Sequence, residues 1–159
     1  MRRRTTRGVA ARDGSIEVLE YLKSKGMLDM INEPDDYGYT PLHDAVRLKQ
    51  KEAARWLMEH AANINAITKY GFTVFAIACG VMSLSFVEEL AGKVAPDHLA
   101  LPNNYDVSPM RFAFVRDADL DDDLLIVRLL ILRGVPVRAQ DFPAFFTESL
   151  PRRRQILEA

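Results

Sequence analysis

Cysteine is nearly absent from this chain of 159 residues, with Cys79 as its single example. No internal disulfide can form and no thiolate cluster can hold zinc, which fits a reducing compartment and an intracellular, cytoplasmic setting. An excess of charge of either sign is missing too: 21 Lys and Arg face 22 Asp and Glu, for a formal net charge of -1. The molecule as a whole therefore exerts no pull on nucleic acid or on an anionic membrane, and a charged partner must be met by a local patch. Long apolar runs are lacking as well. The most apolar stretch, Leu124 to Leu132, covers nine residues and is broken by Arg128, against the roughly 20 needed to span a bilayer. With 48% hydrophobic residues, the length suits one domain with a sizeable core rather than two.

The common catalytic signatures are missing. There is no glycine-rich phosphate loop, no GxSxG elbow and no HExxH. His43, His60 and His98 lie far apart at no metal-ligand spacing. One run imitates a metal site: Asp117, Asp119, Asp121 and Asp123 alternate as at the start of a calcium-binding EF-hand loop. That loop needs Gly at its sixth position and Glu at its twelfth, where this chain has Asp122 and Arg128. The run is better read as a solvated acidic loop capping the next helix, with docking of a basic partner segment as the functional alternative. The chain is expected to be no enzyme, with no cofactor, no metal and no small-molecule substrate.

What is present is repetition. Aligning YGYTPLHDAV with YGFTVFAIAC sets Gly38 against Gly71, Thr40 against Thr73, Leu42 against Phe75 and Ala45 against Ala78, each 33 residues apart. Leu57 and Leu90 keep the same offset, so the register holds without a gap through two helical segments. A period of this length marks a stacked array, because one helix pair cannot bury its apolar stripe alone. Ile16, Leu19 and Leu22 are spaced for one helical face, as are Ala53, Trp56 and Leu57, and then Phe86, Val87 and Leu90.

Asp35 through Asn65 resembles one complete ankyrin repeat, matching that family at Asp35, Gly38, Thr40, Pro41, Leu42, His43, Ala45, Leu57 and Asn65. In the TPLH signature Pro suits the first helical turn and Thr can satisfy a free amide there. The resemblance implies that His43 ties its turn to the neighbouring units. The third unit keeps Gly71 and Thr73 but reads TVFA, losing both the Pro and the His. The fourth reads NYDVSPMRFAF, with Ser108 and Pro109 for Thr and Pro and Arg111 for the His, then carries extra residues RDADLDDD before regaining register at Gly134. The opening unit, AARDGSIEVLEYLKSKG, is similar to the helix-turn-helix half of a repeat, with Gly14 in the turn and Gly26 ending the second helix. Cys79 falls where such a repeat wants a small apolar residue, which makes it a buried, inert thiol.

The expected architecture is an all-α ankyrin-repeat solenoid of stacked helix-turn-helix units with short β-hairpin loops, about four and a half units in all. Its units run approximately over 4–34, 35–67, 68–102 and 103–140, with a divergent cap over 141–159 whose helix opens at Asp141. Residues 1–12 hold five arginines, two threonines and no acid, the composition of a transit peptide. The preferred reading is a basic cap or arm ahead of a fold beginning at Ala10.

The resemblance implies that another protein binds along the hairpin tips and the exposed side of the inner helices. The tips offer Asp36, Tyr37 and Tyr39, then Lys69, Tyr70 and Phe72, then Asn104, Tyr105 and Val107. Five of these nine are aromatic, and four of the chain's five tyrosines are among them. Tyrosine is enriched at binding hot spots because it gives a large contact area at little rotamer cost. Tyr37, Tyr70 and Tyr105 share one repeat position, so packing on one another along the row competes with a binding role. Tyr39 and Phe72 are the stronger contact candidates. Arg47, Leu48, Ile77, Val81, Arg111 and Phe114 extend the surface, with core packing equally open for Ile77 and Phe114. Two alternatives remain: an RNA- or ribonucleoprotein-associated component using Arg2, Arg3, Arg4, Arg7 and Arg152, Arg153, Arg154, or the recognition arm of a longer enzyme such as a ligase adaptor.

Overall fold

The computed structural model describes residues 6–27, 31–114 and 120–141. Its helices are α1 (Thr6–Asp13), α2 (Ile16–Ser24), α3 (Pro41–Arg47), α4 (Lys51–Glu59), α5 (Val74–Val81), α6 (Leu84–Ala91), α7 (Pro109–Phe114) and α8 (Leu120–Leu132). Short 3-10 turns lie at Pro96–Leu99 and Ala139–Asp141. Among the described residues no strand forms; the loops are closed by turns and one isolated antiparallel bridge, Ile67 with Thr73. The architecture is an all-α solenoid.

Two layers result. In the inner layer α1 packs on α3, α3 on α5 and α5 on α7; each outer helix lies behind its inner partner, α2 behind α1 and so on to α8 behind α7. The inner helices approach closely because Ala45, Ala78 and Ala113 recur at one position and are fully buried. Larger side chains there would force the helices apart. Leu42, Phe75 and Met110 occupy another recurring position with no exposure, and the outer helices answer with Leu57, Phe86, Leu90, Ile126 and Leu130. Cys79 is buried in the same core.

The starts of the inner helices are set by side-chain caps. Thr40 Oγ1 accepts from the His43 amide and the imidazole Nδ1 accepts in return from the Thr40 amide at 3.2 Å, a capping box with Pro41 in the first turn. Thr73 Oγ1 accepts from the Ala76 amide at 3.0 Å, and Ser108 Oγ from the Arg111 amide at 3.2 Å. The three caps share one repeat position, and each removes an orphan N–H of a short helix.

Two expectations are corrected at the edges. α1 begins at Thr6, four residues before Ala10. Residues 121–123, read as part of an acidic loop, are helical, because α8 begins at Leu120; Asp117 and Asp119 lie outside the described residues. Asp141 ends a 3-10 turn and is buried, and its carboxylate accepts from Ser108 Oγ at 2.6 Å. The cap helices expected beyond it, with Arg152, Arg153 and Arg154, lie outside the described residues, as do Arg2, Arg3 and Arg4.

Candidate functional site

Each hairpin tip is built the same way. The amides of Tyr37 and Tyr39 both donate to Asp35 Oδ1 at 2.9 Å, and the Asp35 amide closes the loop on the Tyr39 carbonyl at 2.8 Å. In the next tip Thr68 takes that role: its Oγ1 accepts from the Phe72 amide at 3.0 Å, and its own amide donates to the Phe72 carbonyl. In the third, Asn103 Oδ1 accepts from the amides of Tyr105 and Val107 at 3.0 Å. A short side-chain acceptor holding the backbone four residues on, and for Asp35 and Asn103 two residues on as well, is the reason Asp, Thr or Asn stands there.

The tips are joined to one another by main chain. The Lys69 amide donates to the Tyr37 carbonyl and the Asn104 amide to the Tyr70 carbonyl, both at 3.0 Å. This contact dictates glycine at two positions. A Cβ on Gly38 would lie 2.7 Å from the Lys69 nitrogen, and one on Gly71 would lie 2.7 Å from the Asn104 nitrogen, with φ of 87° and 81°. Asp106, the third residue at this position, adopts φ 58°. Its carboxylate receives the side chains of Arg138, at 2.8 Å, and Gln140.

His43 is the buried link between layers of the stack. Its Nε2–H donates to the Phe72 carbonyl of the next tip at 3.2 Å, while Nδ1 faces Thr40. Burial pushes the imidazole down to about 4 from 6.5. The ring is neutral at physiological pH, as a donor on one nitrogen and an acceptor on the other require. The third unit has Ala76 in place of this histidine. There Asn104 supplies the link instead, its Nδ2 donating to the Lys69 carbonyl at 3.0 Å.

Between the tips and the inner helices lies an open cleft of about 280 Å³, lined by Tyr39, Arg47, Phe72, Ile77, Gly80, Val81 and Phe112. Its walls are aromatic and aliphatic. Phe72 meets Phe112 edge to face with ring centroids 5.8 Å apart, and Tyr39 meets the His43 ring at 5.8 Å. Arg47 is the one charged residue lining the cleft. Its Cζ lies 5.7 Å from the Tyr39 centroid, and its Nη2 donates to Asp44 Oδ1 at 2.7 Å.

The candidate residues separate into groups. Tyr39, Arg47, Phe72 and Val81 line the cleft together with Ile77. Asp36, Tyr37, Lys69, Tyr70, Asn104 and Tyr105 are exposed along the row of tips, and Val107 is half-buried. Tyr37 and Tyr70 stack, with centroids 6.2 Å apart and planes at 23°, while Tyr105 is 66% exposed. Tyr39 and Phe72 also pack against the core, so their rings serve structure as well as surface. Arg111 points away toward the end of the described stack, donating to the Gln140 carbonyl at 2.7 Å, and Leu48 ends α3 outside the cleft. Two lining residues, Phe112 and Gly80, were not among the candidates. Repeat register carries a signal for both: Phe112 follows Ile77 by the 35-residue offset that separates the third and fourth units, and Gly80 follows Arg47 by 33. A Cβ on Gly80 would meet Phe112 Cδ1 at 3.3 Å, so the absent side chain leaves room for that ring.

Stacked helix pairs joined by tips of one design define a repeat solenoid, a class whose elements contact only their neighbours. Residues 2–68 match the family of ankyrin repeats (3 copies). The chain is 43% identical over 56 residues to the human transient receptor potential cation channel subfamily A member 1, covering 35% of this chain and 5% of that protein. It is 36% identical over 76 residues to ankyrin repeat protein OPG025 of vaccinia virus (strain Western Reserve), covering 47% and 12%. Nuclear factor NF-kappa-B p105 subunit of Gallus gallus is 28% identical over 129 residues, covering 78% and 12%. The chain carries ankyrin repeats over residues 2–68, and it spans only 5% to 12% of the length of these relatives. Ankyrin repeats are generally protein–protein interaction modules and typically not enzymes. Among the described residues no helix is long and apolar enough to cross a membrane, and no group of three His, Cys, Asp or Glu is placed to hold a metal ion.

Proposed function

We propose that this chain is a protein-binding module that receives its partner along the row of hairpin tips and in the cleft between the tips and the inner helices. The observation that carries this reading is the cleft itself. Aromatic and aliphatic walls stand open to solvent beside a closely packed core, and concave apolar surface with a few polar groups is where binding concentrates. Tyr39, Arg47, Phe72 and Val81 are its contact residues. Asp36, Tyr37, Lys69, Tyr70, Asn104, Tyr105 and Val107 extend it along the tips, and Leu48 and Arg111 form its flanks.

The spread of relatives supports recognition over any single chemistry, since proteins named a cation channel and a nuclear-factor subunit share the repeat. The test is affinity capture with the natural chain, Val81→Glu and Tyr105→Ser, each checked for folding by circular dichroism. A protein held by the natural chain and lost by either folded variant supports this reading. A partner set unchanged in both variants overturns it.

A further inference from the structure

We propose that the cleft takes one or two apolar side chains of an extended, uncharged partner segment, and that Arg47 fixes that segment through a main-chain carbonyl rather than through an acidic side chain. This rests on the protein-binding reading and specifies its occupant.

Size and charge both lead to it. At about 280 Å³ the cleft falls just under the range of about 300–1,000 Å³ typical of sites for whole small molecules or cofactors, yet it is ample for side chains. Its walls, Phe72, Ile77, Val81 and Phe112, offer apolar contact only. Arg47 is the sole lining cation, and its charge is already met by Asp44 at 2.7 Å and by the Tyr39 ring. A carboxylate brought beside it would also sit beside Asp44, whose negative charge would oppose it. A neutral oxygen meets no such opposition. The guanidinium has a donor to spare, because Arg47 Nε is buried with no acceptor among the described residues. The side chain is 35% exposed, so it has room to shift off the Tyr39 ring and turn Nε to an entering carbonyl. Gly80 lines the cleft, and a side chain there would crowd the Phe112 ring.

The experiment pans a phage-displayed library of short random peptides on the full chain, then titrates synthetic copies of the enriched peptides by fluorescence polarisation. The expected winners carry an aliphatic or aromatic residue among uncharged neighbours, and their Kd is nearly unchanged between low and high salt. Arg47→Lys keeps the charge and can still reach Asp44 but lacks Nε–H; it weakens them about tenfold, or ~1.4 kcal/mol. Val81→Glu abolishes binding, with circular dichroism confirming that both variants fold. Enriched peptides rich in acid, with steeply salt-dependent Kd, overturn the proposal. So do peptides that bind both variants like the natural chain; if Tyr105→Ser then releases them, the protein-binding reading survives at the tips and only the occupant of the cleft is refuted. Failure to enrich any peptide overturns the inference as well, whereas the capture experiment above judges the broader reading separately.

Discussion

At the scale of single residues, His43 shows how one side chain serves two units. It completes the cap of α3 and bonds the Phe72 carbonyl of the next tip, and the cap, in which Nδ1 accepts from the Thr40 amide, needs the neutral ring. Because burial lowers its pKa from 6.5 to about 4, the unfolded chain binds the proton more readily. The stabilisation, ~3 kcal/mol in full, is present above pH 6.5 and is lost as pH falls through 4. Urea midpoints should therefore drop across that window, and His43→Gln, which cannot titrate, should flatten the drop; an unaltered slope would sink the idea. Backbone conformation gives a second residue-scale prediction. Gly71→Ala places a methyl against the Asn104 nitrogen at a positive φ and should cost at least about 1–2 kcal/mol. Ala61 has φ 66° and is exposed, so Ala61→Gly should raise stability by about 0.5–1 kcal/mol, measured by denaturant melts.

At the scale of elements, the stack depends on what passes between neighbouring tips and neighbouring helices. Asn104 is the side-chain link from the third tip to the second. Asn104→Ala should lower stability by about 1 kcal/mol while leaving the helix content seen by circular dichroism intact. Ala78 sits at the close approach of α5 to its inner neighbours with no exposure. Ala78→Leu should overpack that seam by about 1–3 kcal/mol, and a neutral outcome would mean that the inner helices are free to separate. Much of this was legible beforehand, since the 33-residue offset located the caps, the buried alanines and the tip glycines. It did not reveal how the third unit manages without a histidine, because Asn104 lies in a different unit and the two meet only when the tips are stacked.

At the scale of the whole molecule, stability is a sum over neighbouring contacts rather than the property of one central core. Trp56 is the chain's only tryptophan, and it lies in α4, bonded through Nε1 to Glu20 of α2 and stacked on His60 at 3.9 Å. If the interfaces couple the units tightly, its fluorescence and the far-ultraviolet circular dichroism should unfold with one midpoint in urea. A fluorescence transition well separated from the loss of helix would show the array coming apart unit by unit.

The sequence by itself determined the period, the class of fold, the caps and the apolar positions, because each follows from local chemistry repeated at a fixed offset. It also marked the aromatic tips as unusual. Only the tertiary structure decided what each aromatic does: Tyr37 and Tyr70 stack, Phe72 leans on Phe112, and Tyr105 is left exposed. The cleft belongs to the same category. Its lining comes from three successive units and from a glycine whose contribution is the side chain it lacks, and a void between units is a property of their stacking that no single unit encodes.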